Sequence, residues 1–190
     1  MNKDTERLQK RIANSGYTSR RKAETLITEG KVKVNGTVET ELGTKVKPSD
    51  SIEVEGIKLE QEDKLYILFY KPAQVITSVS DDRGRKVVTD YFKQIKTRIY
   101  PVGRLDYDTS GLLLLTNDGE FTNLMTHPRY KIKKKYVVKL KGYLMREEVK
   151  SLEQGVQLED GVTQPAIIKV KNQDKDKNTT LVEITITEGR

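Results

Sequence analysis

An aspartate at position 106 stands where a short polar loop meets an apolar strand. Gly103-Arg104-Leu105 precedes it, Asp108, Thr109 and Ser110 follow, and Leu112 to Leu115 then run into Thr116-Asn117-Asp118-Gly119. A carboxylate held at a strand edge can serve as nucleophile, base or cap, and the local pattern alone fits a site or a turn. Asp118-Gly119 and Asp160-Gly161 have the form of turn dipeptides, so Asp118 and Asp160, like Asp108, read first as turn residues. His127 is the sole histidine and there is no cysteine, which removes His-pair metal sites, thiolate nucleophiles and most histidine-based triads. Any chemistry therefore rests on carboxylate, Tyr, Lys or Arg.

A second candidate is the tract Arg129 to Lys141, RYKIKKKYVVKLK, with seven basic residues, no acidic one, and Tyr130 and Tyr136 interleaved. Cations neutralise phosphates while aromatic faces stack unpaired bases, a combination suited to RNA. The same tract also suits a cationic edge strand whose lysines discourage aggregation.

The elements that must position these groups follow from periodicity. Leu8, Ile12 and Ala13 recur at helical spacing, with Arg7 and Arg11 one turn apart and Gly16 as a stop. Thr18 or Ser19 caps a second helix with apolar positions Ala23, Leu26 and Ile27, closed by Gly30. Arg20, Arg21 and Lys22 in its first turn oppose the helix dipole, which requires a tolerant surface or an anion such as phosphate. Lys31 to Val34 alternates into the hairpin signal Asn35-Gly36 and returns through Thr37 and Val38, with Val32 and Val34 inward and the lysines outward.

Glu60 to Lys64 is charged, lacks large apolar groups and reads as a linker. Beyond it LYILFY and QVITSV read as strands interrupted by Lys71-Pro72, DDRGR as a turn, and VVTDYF as a short helix. Further strands are expected at Ile99 to Val102, LLLLT, YVVKLKG, PAIIKVK and LVEITIT, the last two joined by the polar loop NQDKDKN. Helices are expected around Glu120 to Met125 and Arg146 to Gln154. Strands outnumber helices without regular βαβ alternation, which predicts an α+β fold with a mostly antiparallel sheet and flanking helices.

The chain of 190 residues has room for one or two domains. Its formal charge of +7 favours a polyanionic partner. Residues 1–35 carry nine Lys/Arg against four Asp/Glu and residues 36–60 three against six, so the positive charge is localised. With no apolar leader, and no stretch approaching roughly 20 apolar residues, a cytoplasmic protein without membrane attachment is the expectation.

The run ERLQKRIANSGYTSRRKAETLITEGKVKVNG resembles the S4 RNA-binding domain, which implies a small N-terminal module over residues 1–60 with Arg7, Lys10, Arg11, Arg20, Arg21, Lys22 and Lys33 as RNA contacts. YKP at 70–72, DDRGR at 81–85, GRLD at 103–106, T-S-GLLLLTNDG at 109–119, HP at 127–128, K-K-Y at 134–136 and GVQLEDG at 155–161 together resemble the RsuA/RluB family of rRNA pseudouridine synthases, nearest its large-subunit branch. The resemblance implies a catalytic domain over residues 65–190 that isomerises a ribosomal RNA uridine as a monomer, without cofactor or metal. It assigns catalysis to Asp106 and Tyr136 and RNA contacts to Arg104, Lys134 and Lys135, with Lys71 and Pro72 as structural support and no catalytic role for His127.

Isomerisation breaks the C1′–N1 bond, rotates the base and joins C1′ to C5. A carboxylate either attacks the ribose or assists elimination to a glycal, and both routes stay open. The family's last motif continues past EGR to a basic residue that pairs with the catalytic aspartate. In this chain that position would fall beyond Arg190, so a trimmed synthase lacking it is expected, with a non-catalytic RNA-binding or ribosome-assembly module as the alternative. A glycoside hydrolase using paired carboxylates shares the bond chemistry, but the basic tracts make a neutral sugar polymer a poor ligand.

Overall fold

The computed structural model describes residues 5–60 and 62–189, and they fall into two compact units that divide between Asn123 and Leu124. Gln61, within the expected linker, and the terminal Arg190 lie outside the described residues.

The first unit opens with β1 (Glu6–Arg7), α1 (Leu8–Asn14) and α2 (Arg20–Thr28). Ser19 caps α2, its side chain accepting from the Lys22 amide at 3.3 Å. At the other end Gly30 has φ +69°, and the Gly30 and Lys31 amides donate to the carbonyls of Ile27 and Leu26 at 2.9 and 3.0 Å, a Schellman closure. Four short strands follow as a sheet ordered β3-β2-β5-β6: β2 (Val32–Val34), β3 (Thr37–Val38), β5 (Ile52–Val54) and β6 (Ile57–Lys58). Between them β4 (Lys45–Val46) pairs with β1.

Asn35 and Gly36, at φ +53° and +83°, make the expected tight hairpin. Glu55 and Gly56 repeat that geometry between β5 and β6, a turn that Glu in the first position had concealed. Leu8, Ile12, Ala23, Leu26, Ile27, Val32, Val46, Ile52 and Val54 bury together as the core of this module.

A second cluster in the same unit gathers Val75, Val88, Ile99, Leu113 and Leu115, with Ile67, Phe69 and Leu105 packed against it. It lies on one face of an antiparallel sheet ordered β7-β9-β8, comprising β7 (Tyr66–Lys71), β8 (Tyr100–Val102) and β9 (Gly111–Thr116). Alternation along β7 sends Ile67, Phe69 and Lys71 to the core face and leaves Leu68 and Tyr70 exposed.

QVITSV is not a strand. Its residues bend, with one parallel bridge from Ile76 to Val87, because Thr77 and its neighbours bond to loops instead of to a sheet edge. VVTDYF forms a 3₁₀ turn, Val88–Phe92. The DDRGR turn is closed by Asp81, which accepts from the Arg85 guanidinium at 2.8 and 3.2 Å and from the Arg83 and Arg85 amides.

Asp118 joins several of these pieces. At 7% exposure its carboxylate accepts from Lys64 Nζ (2.9 Å), the Tyr66 hydroxyl (2.8 Å) and the amides of Glu120 (2.9 Å) and Phe121 (3.2 Å), so it caps α3 (Gly119–Thr126) and ties it to the linker exit. Asn117 adds to the tie, accepting from the Leu65 amide at 2.8 Å and donating to the Asp63 carbonyl at 2.9 Å.

The second unit is built on β10 (Lys134–Lys141), β13 (Ile167–Asp174) and β14 (Thr179–Ile186), antiparallel in the order β10-β14-β13. Before β13 come α4 (Arg146–Gln154), which packs against it, and the hairpin of β11 (Gln157–Leu158) and β12 (Gly161–Val162). NQDKDKN is only partly a loop: β13 absorbs Asn172 to Asp174, with a register shift around Lys171. No helix among the described residues is long and apolar enough to cross a membrane.

Burial pushes the Asp118 carboxyl up, but the Lys64, Tyr66 and amide hydrogen bonds outweigh it and hold the pKa at about 2, below the ordinary 3.8. A folded-state pKa below the unfolded one gives stability that is complete above about pH 4 and lost as pH falls through about 2. Asp118→Asn is expected to cost about 2 kcal/mol in urea unfolding at pH 7, and its deficit should shrink between pH 4 and pH 2. Equal acid sensitivity of the two proteins would contradict this account.

Candidate active site

The loop carrying Asp106 is suspended between two fixed points. On its N-terminal side the Thr77 hydroxyl donates to the Leu105 carbonyl at 2.6 Å and accepts from the Leu105 amide at 3.2 Å. On its C-terminal side the Tyr107 carbonyl accepts from the Gln74 amide at 2.7 Å and from Lys71 Nζ at 3.4 Å. The Asp106 carbonyl accepts from the Thr109 amide at 3.1 Å, closing a turn over Tyr107 and Asp108. Both neighbours of Asp106 are thus held through their backbones, while the Asp106 residue itself is exposed.

Lys71 reaches this loop from below, through the Tyr107 carbonyl. It is fully buried, and its ammonium also donates to the carbonyls of Val75 (2.8 Å) and Pro72 (3.0 Å). The β7–β9 register sets it opposite Gly111, where the loop ends. Desolvation holds its pKa below the ordinary lysine value, and the charges of Asp106 and Asp108 offset only part of that. The structural support expected of Lys71 takes the form of these carbonyl bonds; that its side chain is buried is readable from its place at a core position of an alternating strand.

Arg104 is exposed, two residues before Asp106. Tyr136 belongs to the second unit, on β10 opposite Ile184 of β14. Strand alternation puts Tyr136 on one sheet face with Lys134, Val138 and Leu140, all half-buried, and Lys135 on the other with Val137, Lys139 and Lys141, all exposed. Lys134 and Lys135 therefore cannot face the same partner through that sheet. Lys135 and Lys171 also pair with Glu183, each at 3.3 Å, and these hydrogen bonds hold the Glu183 carboxyl below its ordinary pKa.

The basic residues of the N-terminal module divide in the same way. Arg7, Arg20, Arg21 and Lys22 are exposed and form no ion pair among the described residues. Lys10 is paired with Glu6 (3.7 Å) and Glu120 (3.1 Å), Arg11 with Glu6 (3.3 Å) and the Pro48 carbonyl (3.1 Å), and Lys33 with Glu53 (3.3 Å). His127 accepts from the Arg129 amide at 3.2 Å in a short 3₁₀ turn, a local structural task.

A basic module of two helices and a small sheet precedes two three-stranded antiparallel sheets, and this order of parts has a match among known proteins. Residues 65–190 match the family described as RNA pseudouridylate synthase and residues 6–52 match the S4 domain, and the chain belongs to this family of isomerases. It is 61% identical over 185 residues to "Ribosomal large subunit pseudouridine synthase B" of Bacillus subtilis, covering 97% of this chain and 76% of that protein. An "Uncharacterized RNA pseudouridine synthase" of Aquifex aeolicus is 46% identical, covering 97% and 74%. The solved "Crystal structure of pseudouridylate synthase" superposes with a TM-score of 0.62 at 29% identity, over 97% of this chain and 78% of that one.

Removing the buried ammonium takes this donor from the Pro72 and Val75 carbonyls, while the Tyr107 carbonyl keeps the Gln74 amide. Lys71→Met is expected to lower stability by about 2–3 kcal/mol in chemical denaturation; a loss well under 1 kcal/mol would show that Lys71 does not brace the loop.

Proposed function

We propose that this protein isomerises a uridine of ribosomal RNA, in the large subunit, to pseudouridine, with Asp106 as the catalytic carboxylate. The observation that carries the assignment is the position of Asp106 in GRLD, exposed on a loop whose flanking residues are both pinned. The large-subunit substrate rests on the name of the Bacillus subtilis relative, which is 61% identical.

The reaction needs no net oxidation and transfers no group to a second molecule. The C1′–N1 bond breaks, the base turns, and a C1′–C5 bond forms; the C5 proton leaves and N1 ends protonated. Asp106 either attacks C1′ or promotes elimination to a glycal, and in both routes its value lies in being held still beside the ribose. The target must leave its stack, at a cost of a few kcal/mol that phosphate contacts and aromatic stacking offset. Tyr136 is assigned the stacking role on the K-K-Y motif, and Arg104 the contact with the RNA around the extruded nucleotide.

The N-terminal module supplies sequence-independent affinity. Arg20, Arg21 and Lys22 surround the start of α2, where phosphate oxygens meet both the cations and the helix amides. Arg7 extends this set, while Lys10, Arg11 and Lys33 must first exchange their carboxylate or carbonyl partners. Domains of 1–60 and 65–190 are assigned on the two family matches, over residues 6–52 and 65–190, although the compact units of the fold divide between Asn123 and Leu124. The working form is a cytoplasmic monomer.

Asp106→Asn is expected to abolish tritium release from 5-tritiated uridine in ribosomal RNA while RNA affinity stays within about twofold; undiminished turnover would end the assignment. Changing Arg20, Arg21 and Lys22 together to Gln should weaken binding and reduce the slope of log affinity against log salt by about 2. An unchanged slope would remove these residues from the phosphate-binding surface.

A further inference from the structure

We infer that Thr77 is a positioning residue for catalysis: its hydroxyl, bonded to both the amide and the carbonyl of Leu105, sets where the Asp106 carboxylate stands. The inference rests on the reading of Asp106 as the catalytic group.

Thr77 is 8% exposed and its hydroxyl uses its donor and its acceptor on one residue, donating at 2.6 Å and accepting at 3.2 Å. The Leu105 amide belongs to the 104–105 peptide and its carbonyl to the 105–106 peptide, so the two bonds hold the planes on both sides of the Leu105 Cα, which one bond does not. Leu105 immediately precedes Asp106, so a rotation of the 105–106 peptide would swing the carboxylate. At Tyr107 the backbone amide of Gln74 holds the other side, at 2.7 Å. Thr77 is therefore the part of this brace that a side-chain change can remove without touching a charge.

The position of Thr77 is itself secured. The Ile76 amide donates to the Lys86 carbonyl and the Val88 amide to the Ile76 carbonyl, each at 3.0 Å. Asp81 and Arg85 close the loop between these partners. Val75 and Val88, on either side of the bridge, are buried in the core. The irregular backbone at 75–79 serves this purpose: in a regular strand the Thr77 hydroxyl would project from a sheet face, whereas the bend turns it onto Leu105.

Threonine and valine have nearly the same shape, so Thr77→Val removes both bonds while keeping the volume. Its kcat in the tritium-release assay is expected to fall roughly 10- to 100-fold. KM and RNA affinity should stay near those of the parent, while the melting midpoint falls by a few degrees because the Leu105 amide and carbonyl lose their partner. Thr77→Ser restores the hydroxyl and should return kcat to within about threefold of the parent. Three outcomes overturn the inference: Thr77→Val turning over normally, Thr77→Ser failing as badly as Thr77→Val, or both Thr77→Val and Thr77→Ala failing to fold, which would make the role structural. Asp106→Asn measured alongside separates the two claims. If it remains active the reading of Asp106 fails; if it is inactive while Thr77→Val is normal, only the role of Thr77 fails.

Discussion

A lysine ammonium with no exposed surface organises the first unit around the candidate catalytic loop. Lys71 ends a strand whose alternate residues fill the core, so its side chain must enter the protein, and once there its charge has to be met. Three carbonyls meet it, from Pro72, Val75 and Tyr107. One belongs to the loop that bears Asp106, so satisfying the buried charge also anchors that loop. The Lys71-Pro72 break, the bend at residues 75–79 and the loop after β8 are one arrangement because they share this donor.

The stretch from Gly103 to Gly119 divides into two halves with different tasks. Residues 103–110 present Asp106 to solvent from a backbone held at Leu105 and Tyr107. Residues 116–119 are architectural: Thr116 and Asn117 bond to the linker exit, and Asp118 caps α3 while holding Lys64 and Tyr66. Strand β9 connects the halves and buries Leu113 and Leu115. An exposed aspartate and a buried one, twelve positions apart in the chain, thus differ in role because one meets solvent and the other meets four donors.

Alternation also decides how the basic tract works. A run of lysines along a strand is not one charged surface but two, and in β10 only the Lys134 side shares a face with Tyr136. The other face carries Lys135, Lys139 and Lys141, with Glu183 offsetting part of its charge. In the N-terminal module the division comes from acids that the sequence places far away: Glu120 reaches Lys10 from more than a hundred residues downstream. Exposed Arg20, Arg21 and Lys22 form no such pair among the described residues.

By itself the sequence determined the helices and first hairpin of the N-terminal module, the strands of the two three-stranded sheets, the family and its motif order. Those depend on local period, caps and turn residues, which short windows record: Ser19, Gly30 and Asn35-Gly36 each act within a few residues of themselves. Tertiary structure alone decided that QVITSV bends instead of pairing, because its hydrogen bonds go to Lys86 and Leu105, distant in the chain. It alone showed Lys71 as the buried cation beneath the Asp106 loop, Thr77 as its second brace, and Asp118 as a structural hub. Such roles depend on which donors the fold brings to a group, and donor and acceptor there are separated by as many as 54 residues, a distance no local pattern spans.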